Sequence, residues 1–312
     1  MIKETESKNL WGGLFQGDTS EESIKQADIV VFGIPYDGNV SYRDGASEGP
    51  SAIRATTEPI PPTTEYFEDM SGTQVVDLGD IYNDDCELLF AEVEEKVADL
   101  VRKEKFFTMI GGDHSVTIPV LRGINKGIDH DFGIIHIDAH LDLCDALGDS
   151  QVSHGCTQRR ALELEHVKTS ESIYFIGIRS AELDELAFMK ENPVNIINAA
   201  EFEQLGTKQV IEKVKEKMSS FKSIYLTVDI DCLDPAYAAG TGTPKFGGLT
   251  ARQLLDLLRG LFDLPIIGFD VVEVAPKLDS AMSSVYAGQR IITECWGHQT
   301  RKTKDFDHKN GV

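Results

Sequence analysis

The sequence predicts an α/β protein of three layers, α/β/α, built on a mostly parallel central sheet. Three observations lead there. Short apolar runs recur along the chain, several of them continuous and β-branched, as strands buried on both faces must be. Amphipathic segments of helical period separate many of the runs, which is the alternation expected of parallel strands and crossover helices. Four of the runs also lead straight into Asp, Glu or His residues, and in a parallel sheet those ends share one side of the molecule.

In chain order the expected strands are ADIVVFGI (27–34), TQVVDLG (73–79), FFTMIGG (106–112), FGIIHID (132–138), SIYFIGI (172–178), VNIINA (194–199), SIYLTVDID (223–231) and PIIGFDVVEV (265–274). The expected helices lie between and after them: CELLFAEVEEKVADLVRKE (86–104), SVTIPVLRGI (115–124), CTQRRALELEH (156–166), LDELAFMKE (183–191), TKQVIEKVKEKM (207–218), TARQLLDLLRGLF (250–262) and SSVYAGQRIITECWG (283–297). No internal repeat or low-complexity linker interrupts the pattern, so a single domain over 1–312 is expected. The polar tail HQTRKTKDFDHKNGV, from about 298, is expected to fray.

Composition narrows the function classes. With 30 basic against 52 acidic residues the formal charge is −22, which argues against a nucleic-acid partner, since phosphate contacts need a basic patch. The same balance suits a cationic substrate, although net charge reports mainly on solubility and steering. The 5 cysteines are odd in number and form no CxxC pair, so a reduced chain is expected. Neither a signal peptide nor a membrane span is visible, and a cytoplasmic protein without a membrane partner is expected.

The chemistry sits at four strand ends: GGDHS follows FFTMI, DAHLD follows FGIIH, DIDCLDP follows IYLTV, and EVAP follows IIGFDVV. In HIDAHLDLCD, residues 136–145, His136, Asp138, His140 and Asp142 alternate on one register, so a strand or its extended continuation presents them to one side. A solvated strand end would tolerate that pattern, but a buried one requires the charges to be neutralised. Asp229 and Asp231 repeat the two-residue spacing, and two carboxylates this close repel unless a cation lies between them. His114, just after a Gly-Gly turn, joins His140 of DAHLD as a second imidazole in the set. Asp113 or Ser115 reads as the cap of the following helix, and Asp234, before Pro235, as a turn former.

Two histidines and four carboxylates are too many donors for one structural zinc and suit two ions sharing carboxylates. The mixed donors favour Mn²⁺, with Zn²⁺, Ni²⁺, Fe²⁺ or Co²⁺ as alternatives. Two such ions, roughly 3.5–4 Å apart, lower the pKa of a shared water far enough to make hydroxide at neutral pH.

The motifs GGDHS, HIDAHLD, SHGC, TVDIDCLDP and DVVEVAP, in this order and rough spacing, resemble the ureohydrolase family, which includes arginase and agmatinase. The likeness extends to YRDGASEGPSAIR, VVDLGD and GTGTPKFGGLT, and so spans nearly the whole chain. It implies an arginase-like α/β/α fold, a two-manganese centre, a homo-oligomer (trimer or hexamer), and hydrolysis of a guanidino compound to urea and an amine. By the resemblance one ion takes His114, Asp138, Asp142 and Asp229, and the other Asp138, His140, Asp229 and Asp231, with Asp138 and Asp229 bridging. His136 has no ligand counterpart and is expected to support the ligands or pack against them. His154 matches a proton-shuttling histidine, for which imidazole is chemically apt, and Glu273 matches the carboxylate that clamps the guanidinium. Asp142 is expected to hold the attacking hydroxide and to help relay its proton.

SHGCTQRRALE is closer to the agmatinase wording, which favours agmatine, cleaved to putrescine. In GTPKFGG, however, Lys245 stands where the agmatinase wording has glutamate; this charge reversal would suit a carboxylate-ended substrate such as guanidinobutyrate or guanidinopropionate, or the side chain could equally point to solvent. Arginine is a further alternative. Two other classes compete. A cysteine nucleophile at Cys144, Cys156 or Cys232 would need a depressed thiol pKa, which a carboxylate-rich site opposes. A non-catalytic metal-binding relative would bind metal and release no urea.

Overall fold

The computed structural model describes the backbone of residues 2–3, then residues 10–15 and 17–303. The elements run β1 (Ile2–Lys3), α1 (Glu21–Gln26), β2 (Ile29–Ile34), α2 (Gly49–Ala55), β3 (Val75–Ile81), α3 (Cys86–Arg102), β4 (Phe107–Gly111), α4 (Thr117–Gly127), β5 (Gly133–Ile137), α5 (Thr157–Ala161), β6 (Ile173–Ile178), α6 (Leu183–Glu191), β7 (Asn195–Asn198), α7 (Ala199–Leu205), α8 (Thr207–Met218), β8 (Ile224–Asp229), α9 (Ala251–Leu261), β9 (Ile266–Val272) and α10 (Ser283–Thr303). All eight expected strands are present. They form one parallel sheet in the order β3-β2-β4-β9-β8-β5-β6-β7, and β1 adds an antiparallel pairing on β3.

Burial on both faces explains why the strands read as continuous apolar runs. On β2, Ile29 and Val31 enter one hydrophobic core with Leu254, Leu258 and Trp296, from α9 and α10. Val30 and Phe32 enter the other, with Val93, Val97 and Leu121, from α3 and α4. The strand period of two thus feeds two helical layers, which is the three-layer α/β/α arrangement.

Capping fixes several helix starts. Asp85 accepts from the Glu87 and Leu88 amides ahead of α3, and Thr250 and Gln253 form a capping box ahead of α9. Three helices, α1, α2 and α7, were not expected from sequence. They are one or two turns long, too short for a helical period to stand out. In α2 the pattern is further masked by Arg54, which is buried in a two-pronged ion pair with Asp77 on β3, at 2.8 and 3.0 Å. The 156–166 segment is helical only over Thr157–Ala161.

The expected fray from about residue 298 is corrected by α10, which continues to Thr303. His298 and Thr300 are buried, and the His298 ring lies 5.8 Å from that of Phe262. Residues 304–312 fall outside the described part. Among the described residues no helix is long and apolar enough to cross a membrane.

Candidate active site

The strands that carry the chemistry are neighbours. β4, β9, β8 and β5 lie side by side and parallel, so GGDHS, EVAP, DIDCLDP and DAHLD emerge at one edge. Gly112 permits the first turn, since a Cβ there would fall 1.8 Å from the Tyr36 carbonyl oxygen. Asp113 then caps the short turn His114–Val116, accepting the Ser115 amide at 2.9 Å, as expected of a cap.

All six expected metal ligands converge. His114 Nδ1 lies 3.1 Å from Asp138 Oδ2, 3.1 Å from Asp142 Oδ2 and 3.3 Å from Asp229 Oδ2. His140 Nδ1 lies 3.1 Å from Asp231 Oδ2 and 3.5 Å from Asp138 Oδ1. Asp138 therefore faces both histidines. Three of the aspartates are built alike: one oxygen is anchored on a backbone amide (His140 for Asp138, Asp231 for Asp229, Ala139 for Asp231) and the other points into the cluster.

The donor set fits metal. His114 Nδ1, Asp138 Oδ2 and Asp231 Oδ2 are buried without a hydrogen-bond partner, which is costly unless a cation serves them. Donors about 2.1 Å from an octahedral ion stand about 3 Å from one another, close to the separations above. The local electrostatics call for positive charge. Burial, with Asp231 and Asp138 nearby, holds the Asp229 carboxyl well above the usual carboxylate range. Against the opposing effect of burial, Asp231 and Asp138 drive His140 up to about 12.

His136 lies within the cluster, with a ring nitrogen within 4.8 Å of donor atoms of His114, Asp138 and Asp142, but hydrogen bonds engage both of its nitrogens. Its Nε2 faces two acceptors, the His140 carbonyl oxygen at 3.0 Å and Asp138 Oδ2 at 3.2 Å, so Nε2 carries the proton. Its Nδ1 lone pair is taken by the Gln158 amide at 3.0 Å. With neither ring nitrogen free, its geometry is that of a support for Asp138 and the 140 loop.

Glu273 and His154 form the opposite wall. Glu273 Oε1 accepts from the His114 amide at 2.9 Å and from His154 Nδ1 at 3.0 Å, while Oε2 is buried without a partner. His154 Nε2 accepts the Ser41 amide at 3.1 Å. Burial disfavours the His154 imidazolium, but Glu273 outweighs it and lifts the pKa to about 9; the Ser41 amide favours the neutral ring. Glu273 and Asp142 both have left-handed backbones, φ 63° and 54°, costing about 1–2 kcal/mol each. The Asp142 turn is held by the Gln158 amide on its carbonyl at 2.9 Å and by Glu185, which accepts the Leu143 amide at 2.7 Å.

His154, Ser41, Asp142 and Glu185 line a cavity of about 590 Å³, with His114, His140 and Asp229 also on its wall beside Arg43 and Lys245, while Glu273 is buried behind His154. Lys245 is exposed, and its carbonyl is held by Arg179 at 2.8 Å. A thiol nucleophile does not suit this site. Cys144, Cys156 and Cys232 are buried, and burial pushes all three thiols up, Cys156 to about 11.

Sequence reasoning missed Thr227, Asp270, Gln158, Glu185, Ser41 and Arg43. Thr227, Gln158, Arg43 and Asp270 lay inside the stretches TVDIDCLDP, SHGCTQRRALE, YRDGASEGPSAIR and DVVEVAP, and Asp270 stood out besides as a charge in the middle of the buried run PIIGFDVVEV.

Comparison with known proteins agrees with the geometry. A sequence model of the arginase family matches residues 27–297. Proclavaminate amidinohydrolase of Streptomyces clavuligerus is 36% identical over 265 residues, 81% of this chain and 82% of that one. Its solved structure superposes with a TM-score of 0.81, covering 88% and 92% of the two chains. An agmatinase of Neisseria meningitidis is 35% identical over 277 residues, 86% of each chain. A formimidoylglutamase of Bacillus subtilis, 24% identical with a TM-score of 0.82 over 90% and 88% of the chains, shares the fold. This chain therefore belongs to the arginase family, the ureohydrolases whose motifs its sequence repeats, and is a hydrolase.

Proposed function

We propose that the protein hydrolyses a guanidino compound to urea and an amine at a two-metal centre, with agmatine as the first substrate. The observation that carries this reading is the convergence of His114, Asp138, His140, Asp142, Asp229 and Asp231 in one buried cluster beside a carboxylate, Glu273, with a free oxygen. The first four-residue set would be His114, Asp138, Asp142 and Asp229, and the second Asp138, His140, Asp229 and Asp231. Two Mn²⁺ ions, when bound there, supply water of lowered pKa at neutral pH and offset the four aspartates.

The chain's own residues do the rest. Glu273 Oε2 accepts the guanidinium N–H groups and orients the planar carbon toward the cluster. Asp142, 3.1 Å from His114 Nδ1 and facing the cavity, accepts the proton of the attacking water. His154 delivers a proton to the departing amine, which needs one near neutral pH. The agmatinase-named relatives support agmatine. A second reading, a guanidino acid, is favoured by Arg43 and Lys245 on the cavity wall. A cytoplasmic homo-oligomer, trimer or hexamer, belongs to the same reading, and sedimentation of the full chain measures that state.

The test is urea release by Mn²⁺-loaded protein on agmatine, arginine, guanidinobutyrate and guanidinopropionate, with a chelated control. Chelator-sensitive urea from one compound is the expected result. Two bound ions with no urea from any guanidine would favour the non-catalytic relative.

A further inference from the structure

Asp270 is a fully buried carboxylate that the proposed reaction does not use. It lies on β9 between two strands, in register with Thr227 of β8 on one side and Met109 of β4 on the other. Its Oδ1 accepts the Thr227 hydroxyl at 2.7 Å and the Val228 amide at 3.3 Å. Its Oδ2 accepts the hydroxyls of Thr117 and Tyr225, each at 2.9 Å. Four donors converge on it, which suits an acceptor-only, ionised carboxylate.

The Thr227 hydroxyl has one proton, and Asp270 takes it. The same oxygen lies 2.8 Å from His114 Nε2, so at that contact it can only accept. His114 must therefore carry its proton on Nε2, and Nδ1 presents a lone pair. That lone pair faces Oδ2 of Asp138, Asp142 and Asp229. With the proton on Nδ1 instead, it would bond one of these carboxylates and the nitrogen would be lost as a donor.

We propose that Asp270 and Thr227 are positioning residues that fix the His114 tautomer and so make Nδ1 a metal donor. The inference rests on the reading of His114 as a metal ligand. The relay ends at His114, so breaking it acts first on the His114 half of the cluster and leaves the His140 half in place.

The experiment compares wild type with Thr227→Val, which replaces the hydroxyl by a methyl group of similar size, and with Thr227→Ser, which keeps the hydroxyl. Bound Mn²⁺ is counted after dialysis and examined by electron paramagnetic resonance, and the thermal midpoint of the metal-free proteins reports folding. Wild type and Thr227→Ser should hold two ions with the spectrum of a coupled pair. Thr227→Val should hold one ion with an uncoupled spectrum, the other bound about 10–100-fold more weakly. Asp270→Asn, near in volume, should behave like Thr227→Val and serves if that variant does not fold. Retention of both ions at wild-type affinity by the folded variants overturns the proposal, as does equal loss in Thr227→Ser, which points to packing. A wild-type chain that binds no ion overturns the functional reading itself and this proposal with it.

Discussion

His154 and Glu273, 119 residues apart, share a hydrogen bond of 3.0 Å between Nδ1 and Oε1. It joins the loop before α5 to the end of β9. In the proposed reaction His154 gives a proton and Glu273 receives the guanidinium, and the hydrogen bond holds each in position. Replacing His154 by Asn should lower kcat by about 10²-fold or more, with bound metal unchanged. Glu273→Gln should act mainly on KM, because the charged half of the clamp is lost. Steady-state kinetics with metal counts on the same samples check both, and wild-type kcat in His154→Asn would remove the proton-donor role.

Asp138 is the aspartate that faces both histidines, with Oδ2 toward His114 and Oδ1 toward His140. Asp138→Asn should therefore cost both ions, whereas Asp231→Asn, which faces His140, should cost one. Chelation of the wild type should lower its thermal midpoint, since ions bound only by the native state stabilise it by mass action. Metal analysis after gel filtration decides, and two ions retained by Asp138→Asn would remove it as the shared ligand.

The candidate ligands were legible in sequence because residue spacing and strand order act together. Asp138, His140 and Asp142 stand two apart just past the end of β5, where bends and the left-handed turn at Asp142 replace the expected extended strand, and parallel neighbours β8 and β5 bring Asp229 and Asp231 to the same edge. What sequence could not reveal is partnership between distant segments. Nothing in the spacing shows that Ser41 offers its amide to His154, or that Thr227 stands between His114 and Asp270. His136 is the instructive case. It shares the ligands' register, and only Gln158 on one nitrogen and the His140 carbonyl on the other separate it from them.

Lys245 is a specificity test. It sits exposed on the cavity wall, near Arg43 in the same lining. Lys245→Glu should shift the ratio of kcat/KM for agmatine over guanidinobutyrate toward agmatine by about fivefold, the scale of an exposed charge pair. An unchanged ratio would assign Lys245 to solvent and weaken the guanidino-acid reading.

His298, in the part of α10 that the sequence left to fray, predicts a pH dependence of stability. It is buried against Phe262 and accepts a hydrogen bond from Arg301 on Nδ1. Burial, then the charges of Arg301 and Arg259, push its pKa down to about 3, with Glu65 and Asp263 pulling more weakly the other way. In the unfolded chain it titrates near an ordinary value of about 6.5. Below that pH the unfolded state takes a proton that the folded state refuses. The contribution is thus complete above about pH 6.5 and is lost as pH falls, by about 2 kcal/mol at pH 5. His298→Gln removes the titration while keeping an acceptor for Arg301. Urea denaturation of both proteins at pH 7 and pH 5, with chelator present to keep metal linkage out, should show wild type losing about 2 kcal/mol more than the variant. Equal losses would mean that His298 is protonated in the fold and that the end of α10 is open to water.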